Sequence, residues 1–421
     1  MHNKTTFDNG VRVLSETLPH TRSISLGIWV DVGSRDESKA LNGISHFIEH
    51  MIFKGTARRS TLDIARELDV LGGLSNAFTG KENTCVHARV LDRHFPQLAD
   101  ILTDIFLNSQ FDALELDREK QVILQEIGMV EDTPDELVHV LFCSNCWPDH
   151  ALGRSILGSD ETVSAIDRER MRKFYVRHYT PERIIIAAAG NIDHDSLVGL
   201  FRPVFENLET GAAESPAPPP VLKPGFVCHE KSLEQVHVCI GGRAPDLASE
   251  KRLAGAMLNT ILGGNMSSRL FQEIREKRGL AYSIYSFLSA YKDAGVLGVY
   301  MGTDPRSVNQ ALDVVRHEVM RLLEGDLERA EFDMMKEHLV GSILLGSESN
   351  DTRMMRLAKN EYVFGRYISY EELIERLNAV DIEDVIHVAE DCFKGGLTSV
   401  LLGPVRPGEV EEDLLSFPVR P

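Results

Sequence analysis

Gly43-Ile44-Ser45-His46-Phe47-Ile48-Glu49-His50-Met51-Ile52-Phe53-Lys54-Gly55-Thr56 sets a His-x-x-Glu-His core inside an apolar repeat, and the rest of the chain reads outward from it. Ile44, Phe47, Ile48, Met51 and Ile52 recur at helical spacing and predict an amphipathic helix. His46 and His50, one turn apart, then share a face with Cβ atoms about 5–6 Å apart. That spacing lets two imidazoles reach one ion at about 2.0–2.1 Å, the distance zinc takes. Glu49 stands beside them, where a carboxylate can take a proton from a water whose pKa a metal has lowered to about 7. The plainer reading is a core-facing helix with two histidines on its outer side. A third ligand separates the two readings, because a catalytic zinc site takes three protein ligands and keeps one position open.

Candidates for that ligand stand further on. Helical patterns cover about Phe95 to Leu107 and Leu114 to Val130, and the second carries Glu119 and Glu126 two turns apart, so one helix can aim both carboxylates at one site. Glu126 is the candidate third ligand. Glu119 is the candidate carboxylate that orients a ligand histidine. The same residues also fit a solvated face beside Glu115, Arg118 and Lys120, and periodicity does not choose between these readings.

A chain of 421 residues exceeds one ordinary core, so two or more domains are expected. Its 43% apolar and 26% charged residues are those of a globular protein. A formal net charge of −19, with no basic stripe, argues against a nucleic-acid partner and suits a cationic substrate or simple solubility. No window has the length of apolar sequence that a membrane span requires, and no apolar leader opens the chain. These features predict a soluble, unexported chain or a mature form already trimmed. Six scattered cysteines suggest reduced thiols rather than a disulfide frame. Cys143-Ser144-Asn145-Cys146 is a lone pair without the second pair a structural zinc site needs.

Taken in order, Asn9-Gly10 signals a two-residue hairpin, and the alternation in Ser23 to Val32 predicts a half-buried strand. The histidine helix follows, then a helix near Thr61 to Leu71 stopped by Gly72-Gly73. Two extended segments flank Gly80-Lys81. The Pro-rich run from Gly211 to Pro220 reads as a linker, giving residues 1–208 and 226–421 as domains joined by residues 209–225. The second half repeats the first: a strand near Gln235 to Gly241, helices near Glu250 to Leu262 and Ser268 to Arg275, and extended segments near Tyr282 to Tyr300. Paired helices then run near Pro305 to Leu323 and Leu327 to Leu345. Ala254 to Thr260 takes the place of the histidine helix and has no histidine pair.

His46-x-x-Glu49-His50 with Glu119 and Glu126 far downstream resembles the inverted zinc motif of the pitrilysin or insulinase family of metallopeptidases. The text is most like the processing-peptidase β subunits and their bacterial homologues. Phe53-Lys54-Gly55-Thr56, Asn76-Ala77-Phe78-Thr79 and His178-Tyr179-Thr180-Pro181-Glu182 match as well, and the likeness covers nearly the whole chain. One departure is His87, where such proteins often have an aromatic residue. The resemblance implies an α+β fold of two similar domains, each a mostly antiparallel sheet packed with helices, facing each other across a cleft. It implies one zinc per chain on His46, His50 and Glu126, with Glu49 as base and Glu119 behind a ligand histidine. An extended peptide would add to the strand at Asn76, Ala77, Phe78 and Thr79. Arg275 and Tyr282 in Arg275-Glu276-Lys277-Arg278-Gly279-Leu280-Ala281-Tyr282 would reach the substrate. The implied activity is zinc endopeptidase cleavage of unfolded or presequence-like segments, by a homodimer or a heterodimer with a related subunit. The rival is a non-catalytic scaffold of the same fold, as in respiratory-complex core proteins; those typically have a degraded motif, and here it is intact.

Overall fold

The computed structural model describes residues 1–211 and 218–417, so residues 212–217 of the expected Pro-rich linker lie outside the described residues. In the first part of the chain the elements are β1 (His2–Thr6), β2 (Arg12–Thr17), β3 (Ser23–Val30), α1 (Ile44–Ile52), α2 (Thr61–Val70), β4 (Leu74–Thr79) and β5 (Thr84–Leu91). They continue with α3 (Phe95–Asn108), α4 (Ala113–Glu131), α5 (Pro134–Cys146), α6 (Asp160–Ala165), α7 (Arg168–His178), β6 (Ile184–Gly190) and α8 (His194–Phe205). After the linker come β7 (Gly225–Glu230), β8 (Val236–Arg243), α9 (Arg252–Gly263), β9 (Ala281–Ala290), β10 (Gly295–Thr303) and α10 (Val308–Leu323). The last are α11 (Arg329–Gly346), α12 (Asn350–Phe364), α13 (Tyr370–Asn378), α14 (Ile382–Phe393) and β11 (Thr398–Gly403).

The expected α+β architecture with two similar sheets is present. One sheet runs β1-β2-β6-β3-β5-β4 and the other β7-β11-β8-β10-β9. In each, a single parallel pair, β2 with β6 and β7 with β11, is followed by antiparallel neighbours. The first sheet adds β1, antiparallel to β2. On one face of the first sheet the core is built from Phe47, Ile48 and Met51 of α1, Leu98 and Leu102 of α3, Phe174 of α7 and Phe201 of α8. The second sheet is covered in the same way by Met257 and Leu258 of α9, Leu312 and Val315 of α10, and Val385 and Val388 of α14.

The two compact units are not the two contiguous halves. Restricted to the described residues, one unit holds residues 1–129, 154–211 and 345–367, and the other holds 130–153, 218–344 and 368–417. Helix α5 therefore belongs with the second sheet, and α12 with the first. The reason lies in the second face of each sheet. Val138, Phe142 and Cys146 of α5 pack on Cys239, Val296, Tyr300 and Val400, while Met354, Leu357 and Ala358 of α12 pack on Leu14, Trp29, Ile185 and Ala187. A strand buried on both faces loses the alternation that marks a half-wet one. Accordingly β3, expected to be half-buried, is buried along nearly its whole length. At Gly27 a Cβ would lie 2.7 Å from Met354 Sδ and 2.8 Å from Trp29 Nε1, so a larger residue there would displace the side chains through which α12 covers the sheet.

Two local readings also change. The turn at Asn9-Gly10 is longer than a two-residue hairpin: Phe7 N donates to Val11 O and Gly10, at φ +97°, donates to Phe7 O. The helix expected near Ser268 to Arg275 is a π-helical turn over Phe271–Glu276, with Lys277 N donating to Gln272 O at 2.9 Å. Leu280 N then donates to Ile274 O, so this wider turn feeds directly into β9.

Candidate metal centre

Helix α1 begins where Gly43 takes φ +94°, a conformation that favours glycine. The free N–H groups of its first turn are met by the buried carboxylate of Glu37, which accepts from Gly43 N and Ser45 N at 2.8 Å and from Asn42 Nδ2 at 2.9 Å. Burial pushes the Glu37 carboxyl up to about 7 against those hydrogen bonds. The helix buries Ile44, Phe47, Ile48, Met51 and Ile52, which leaves His46, Glu49 and His50 off the core side. It ends in Phe53-Lys54-Gly55-Thr56, where Gly55 has φ +112° and Thr56 Oγ1 donates to Asp104 Oδ2 at 2.8 Å. That anchored exit fixes where Lys54 leaves the helix.

Helix α4 faces this helix with Leu116, Glu119, Ile123 and Ile127 buried, so Glu119 lies on its apolar side rather than on a solvated one. Glu126 Oε2 stands 3.6 Å from His46 Nε2 and 3.7 Å from His50 Nε2. Two atoms each about 2.0–2.1 Å from one tetrahedral ion lie about 3.3–3.4 Å apart, so the three side chains fit zinc with small adjustments. Among the described residues this is the one group of His, Cys, Asp and Glu side chains close enough to share a metal. His50 Nδ1 meets Glu119 Oε2 at 3.1 Å, which fixes the tautomer that leaves Nε2 a lone pair for the ion. Burial, followed by the neighbouring His50, holds His46 down at about 4, so its ring is neutral as a ligand must be.

Glu49 is not in that group. Its Oε2 accepts a 2.6 Å hydrogen bond from Thr79 Oγ1, on β4. Burial raises its pKa while the Thr79 hydrogen bond lowers it. Beside Glu49 and His50 lies a cavity of about 470 Å³, lined by Phe53, Ile64, Leu68 and Ala77 and, among polar groups, by Lys54 and Glu119. Strand β4 is a sheet edge, the place where an extended chain can pair. Of the four β4 residues singled out from sequence, Asn76 and Ala77 line the cavity and Thr79 holds Glu49. Phe78 instead puts its ring edge-on against Trp29 at 5.3 Å, in the layer that α12 covers.

Arg275 and Tyr282 belong to the second unit and meet each other, the guanidinium lying 4.6 Å from the ring centroid. Sequence reasoning missed Glu37, whose place before a glycine-started helix is a capping signal, and Lys54. The latter continues the four-residue spacing of His46 and His50, a signal that could have found it.

Fold and donor set together define the class: an α+β chain of two sheet-and-helix units, one carrying a two-histidine, one-glutamate metal group. The sequence profile of the insulinase family, peptidase family M16, matches residues 12–160, and that of the peptidase M16 inactive domain matches residues 165–339. An uncharacterized zinc protease of Streptomyces coelicolor is 42% identical over 96% of this chain and 90% of its own. The uncharacterized zinc protease YmxG of Bacillus subtilis is 39% identical over 95% of this chain and 97% of its own. The crystal structure of a protease from Helicobacter pylori shares the fold at TM-score 0.88 and 22% identity, covering 96% of this chain and 99% of that one. The chain belongs to the insulinase family of peptidases, M16. No helix among the described residues is long and apolar enough to cross a membrane.

Proposed function

We propose that the chain is a zinc endopeptidase acting on extended, unfolded peptide segments of the presequence-like kind, with His46, His50 and Glu126 as ligands. The observation that carries this is the spacing of those three side chains with Glu49 beside them and outside the ligand set. Zinc bound there would supply the Lewis acidity that polarises a peptide carbonyl and acidifies the attacking water. Glu49 takes the proton of that water and returns it to the leaving amine. Thr79 occupies one carboxylate oxygen of Glu49 and so leaves the other for the proton. Glu119 keeps His50 in the ligating tautomer. Substrate backbone pairs with the free edge of β4 through Asn76, Ala77, Phe78 and Thr79, and Phe78 offers only its main chain.

Arg275 and Tyr282 are assigned to substrate carbonyls and to the developing oxyanion. Their mutual stacking, with Tyr282 77% exposed, supports a pair held ready at the start of β9. Six cysteines that form no disulfide suit a reducing compartment such as a bacterial-type cytoplasm or, as the alternative, the mitochondrial matrix. The same reading has the chain act as a homodimer or beside a related subunit, which light scattering of the purified protein tests. Mass spectrometry of a peptide mixture incubated with the protein decides the central point. Fragments that vanish with a chelator and return with zinc are expected; a mixture left uncut by the zinc-loaded protein overturns the reading in favour of a scaffold.

A further inference from the structure

Helices α1 and α4 meet as a ladder of basic and acidic side chains. His46, His50 and Lys54 follow one another at four-residue steps, and Glu126 and Glu119 answer them in reverse order. His46 and His50 both face Glu126, at 3.6 and 3.7 Å. His50 turns its other nitrogen to Glu119, and Lys54 Nζ closes the ladder 2.6 Å from Glu119 Oε1. Glu119 therefore spends one oxygen on His50 and the other on Lys54. It is 8% exposed, so solvent does little to hold or compensate it.

We propose that Lys54 is a positioning residue for the metal centre, holding Glu119 so that it presents Oε2 to His50; this rests on the zinc reading above. A glutamate side chain has three rotatable bonds, and one hydrogen bond at one oxygen leaves the carboxylate free to swing about the other. Two charge-assisted contacts from opposite sides fix its plane. The backbone on either side of Lys54 is pinned: Lys54 N donates to Met51 O at 3.1 Å, and Gly55 O accepts from Gln110 N at 3.1 Å. The ammonium is thus delivered to Glu119 by a rigid exit from α1. Because Lys54 also lines the cavity beside Glu49, the group that steadies the ligand histidine is one that an occupant of the cavity touches.

Partners of ligand histidines typically change metal affinity by about 10–100-fold when removed, and Lys54 acts one step further out. Titration of the full-length apo-protein with zinc against a chromophoric chelator tests the proposal, with melting of the chelated protein as a check on folding. Lys54→Met is expected to weaken zinc about tenfold with the apo melting midpoint kept, and Lys54→Arg to stay within about threefold of wild type. Glu119→Gln is expected to weaken zinc more, and adding Lys54→Met to it to cost nothing further, since both act through one carboxylate. Should Lys54→Met fold poorly, Lys54→Gln, which keeps a donor but no charge, takes its place with the same expectation. Unchanged affinity in Lys54→Met or its substitute Lys54→Gln, or full additivity of Lys54→Met with Glu119→Gln, overturns the proposal while leaving the zinc site standing. A wild-type protein that binds zinc no better than His46→Ala overturns the site and this proposal together.

Discussion

Helices α1 and α9 hold matching places against two sheets of the same strand pattern, α1 beside β4 and β5 and α9 beside β9 and β10. Their buried pairs run in step: Phe47, Ile48, Met51 and Ile52 in one, and Met257, Leu258, Ile261 and Leu262 in the other. In that register Ala256, Asn259 and Thr260 stand where His46, Glu49 and His50 stand. Thr260 returns its hydroxyl to Ala256 O at 2.9 Å, and Ser286 Oγ of β9 donates to Asn259 O at 2.8 Å. In the first unit the hydroxyl of Thr79 reaches the Glu49 carboxylate instead. Gly263 seals the second arrangement, since a Cβ there would lie 2.4 Å from Ser286 N. The apolar face that seats the helix is thus separate from the three positions that hold His46, Glu49 and His50 in α1. One unit can keep the packing and lose the site.

That separation is most directly broken by giving α1 the residues of α9. The double variant His46→Ala, His50→Thr is expected to fold and to drop from one zinc per chain to near none after dialysis, with loss of hydrolysis. Metal analysis and circular dichroism check both halves of the statement; a second tightly held zinc in wild type would contradict the contrast between units. Next in size, Glu49→Gln is expected to retain zinc and lose about 10²–10⁴-fold in kcat, because an amide keeps the shape and cannot take the proton. Near-normal turnover by that zinc-loaded variant would remove Glu49 from the chemistry. For the edge strand of the second unit, Tyr282→Phe is expected to lower kcat by about 10²–10³-fold at constant zinc content. An unchanged kcat/KM would restrict the chemistry to the first unit.

The comparison extends to the covering helices. Met354 of α12 and Phe142 of α5 are both fully buried, so Met354→Ala and Phe142→Ala are each expected to cost about 2–5 kcal/mol in denaturant unfolding. A loss below 1 kcal/mol in either would show that the sheet's second face does not depend on that helix. The smallest effect concerns His46, held down at about 4 by burial. Because the fold disfavours the protonated ring, the unfolded chain binds more protons between pH 6.5 and about 4. Stability from this group is complete above pH 6.5 and is lost as pH falls toward 4. In chelated protein the stability difference between wild type and His46→Asn should therefore shrink by about 2–3 kcal/mol over that window. A difference independent of pH would contradict the burial argument.

Local spacing carried much of this protein into its sequence. The apolar repeat of α1, the one-turn step from His46 to His50, the two-turn step from Glu119 to Glu126, and the echo of the first half in the second are each read from neighbours along the chain. So are most helix and strand positions, because period and turn residues are local signals. Resemblance, rather than spacing, connected Glu126 to the histidines, since nothing in a helical pattern says which distant helix faces which. Tertiary structure alone decided three things. It set α5 and α12 on each other's sheets, because a sheet with two apolar faces takes whatever helix covers the second one. It turned Glu119 into the buried side of α4, where its two oxygens meet His50 and Lys54. And it brought the Thr79 hydroxyl to Glu49, a contact between an edge strand and a helix that no periodicity records.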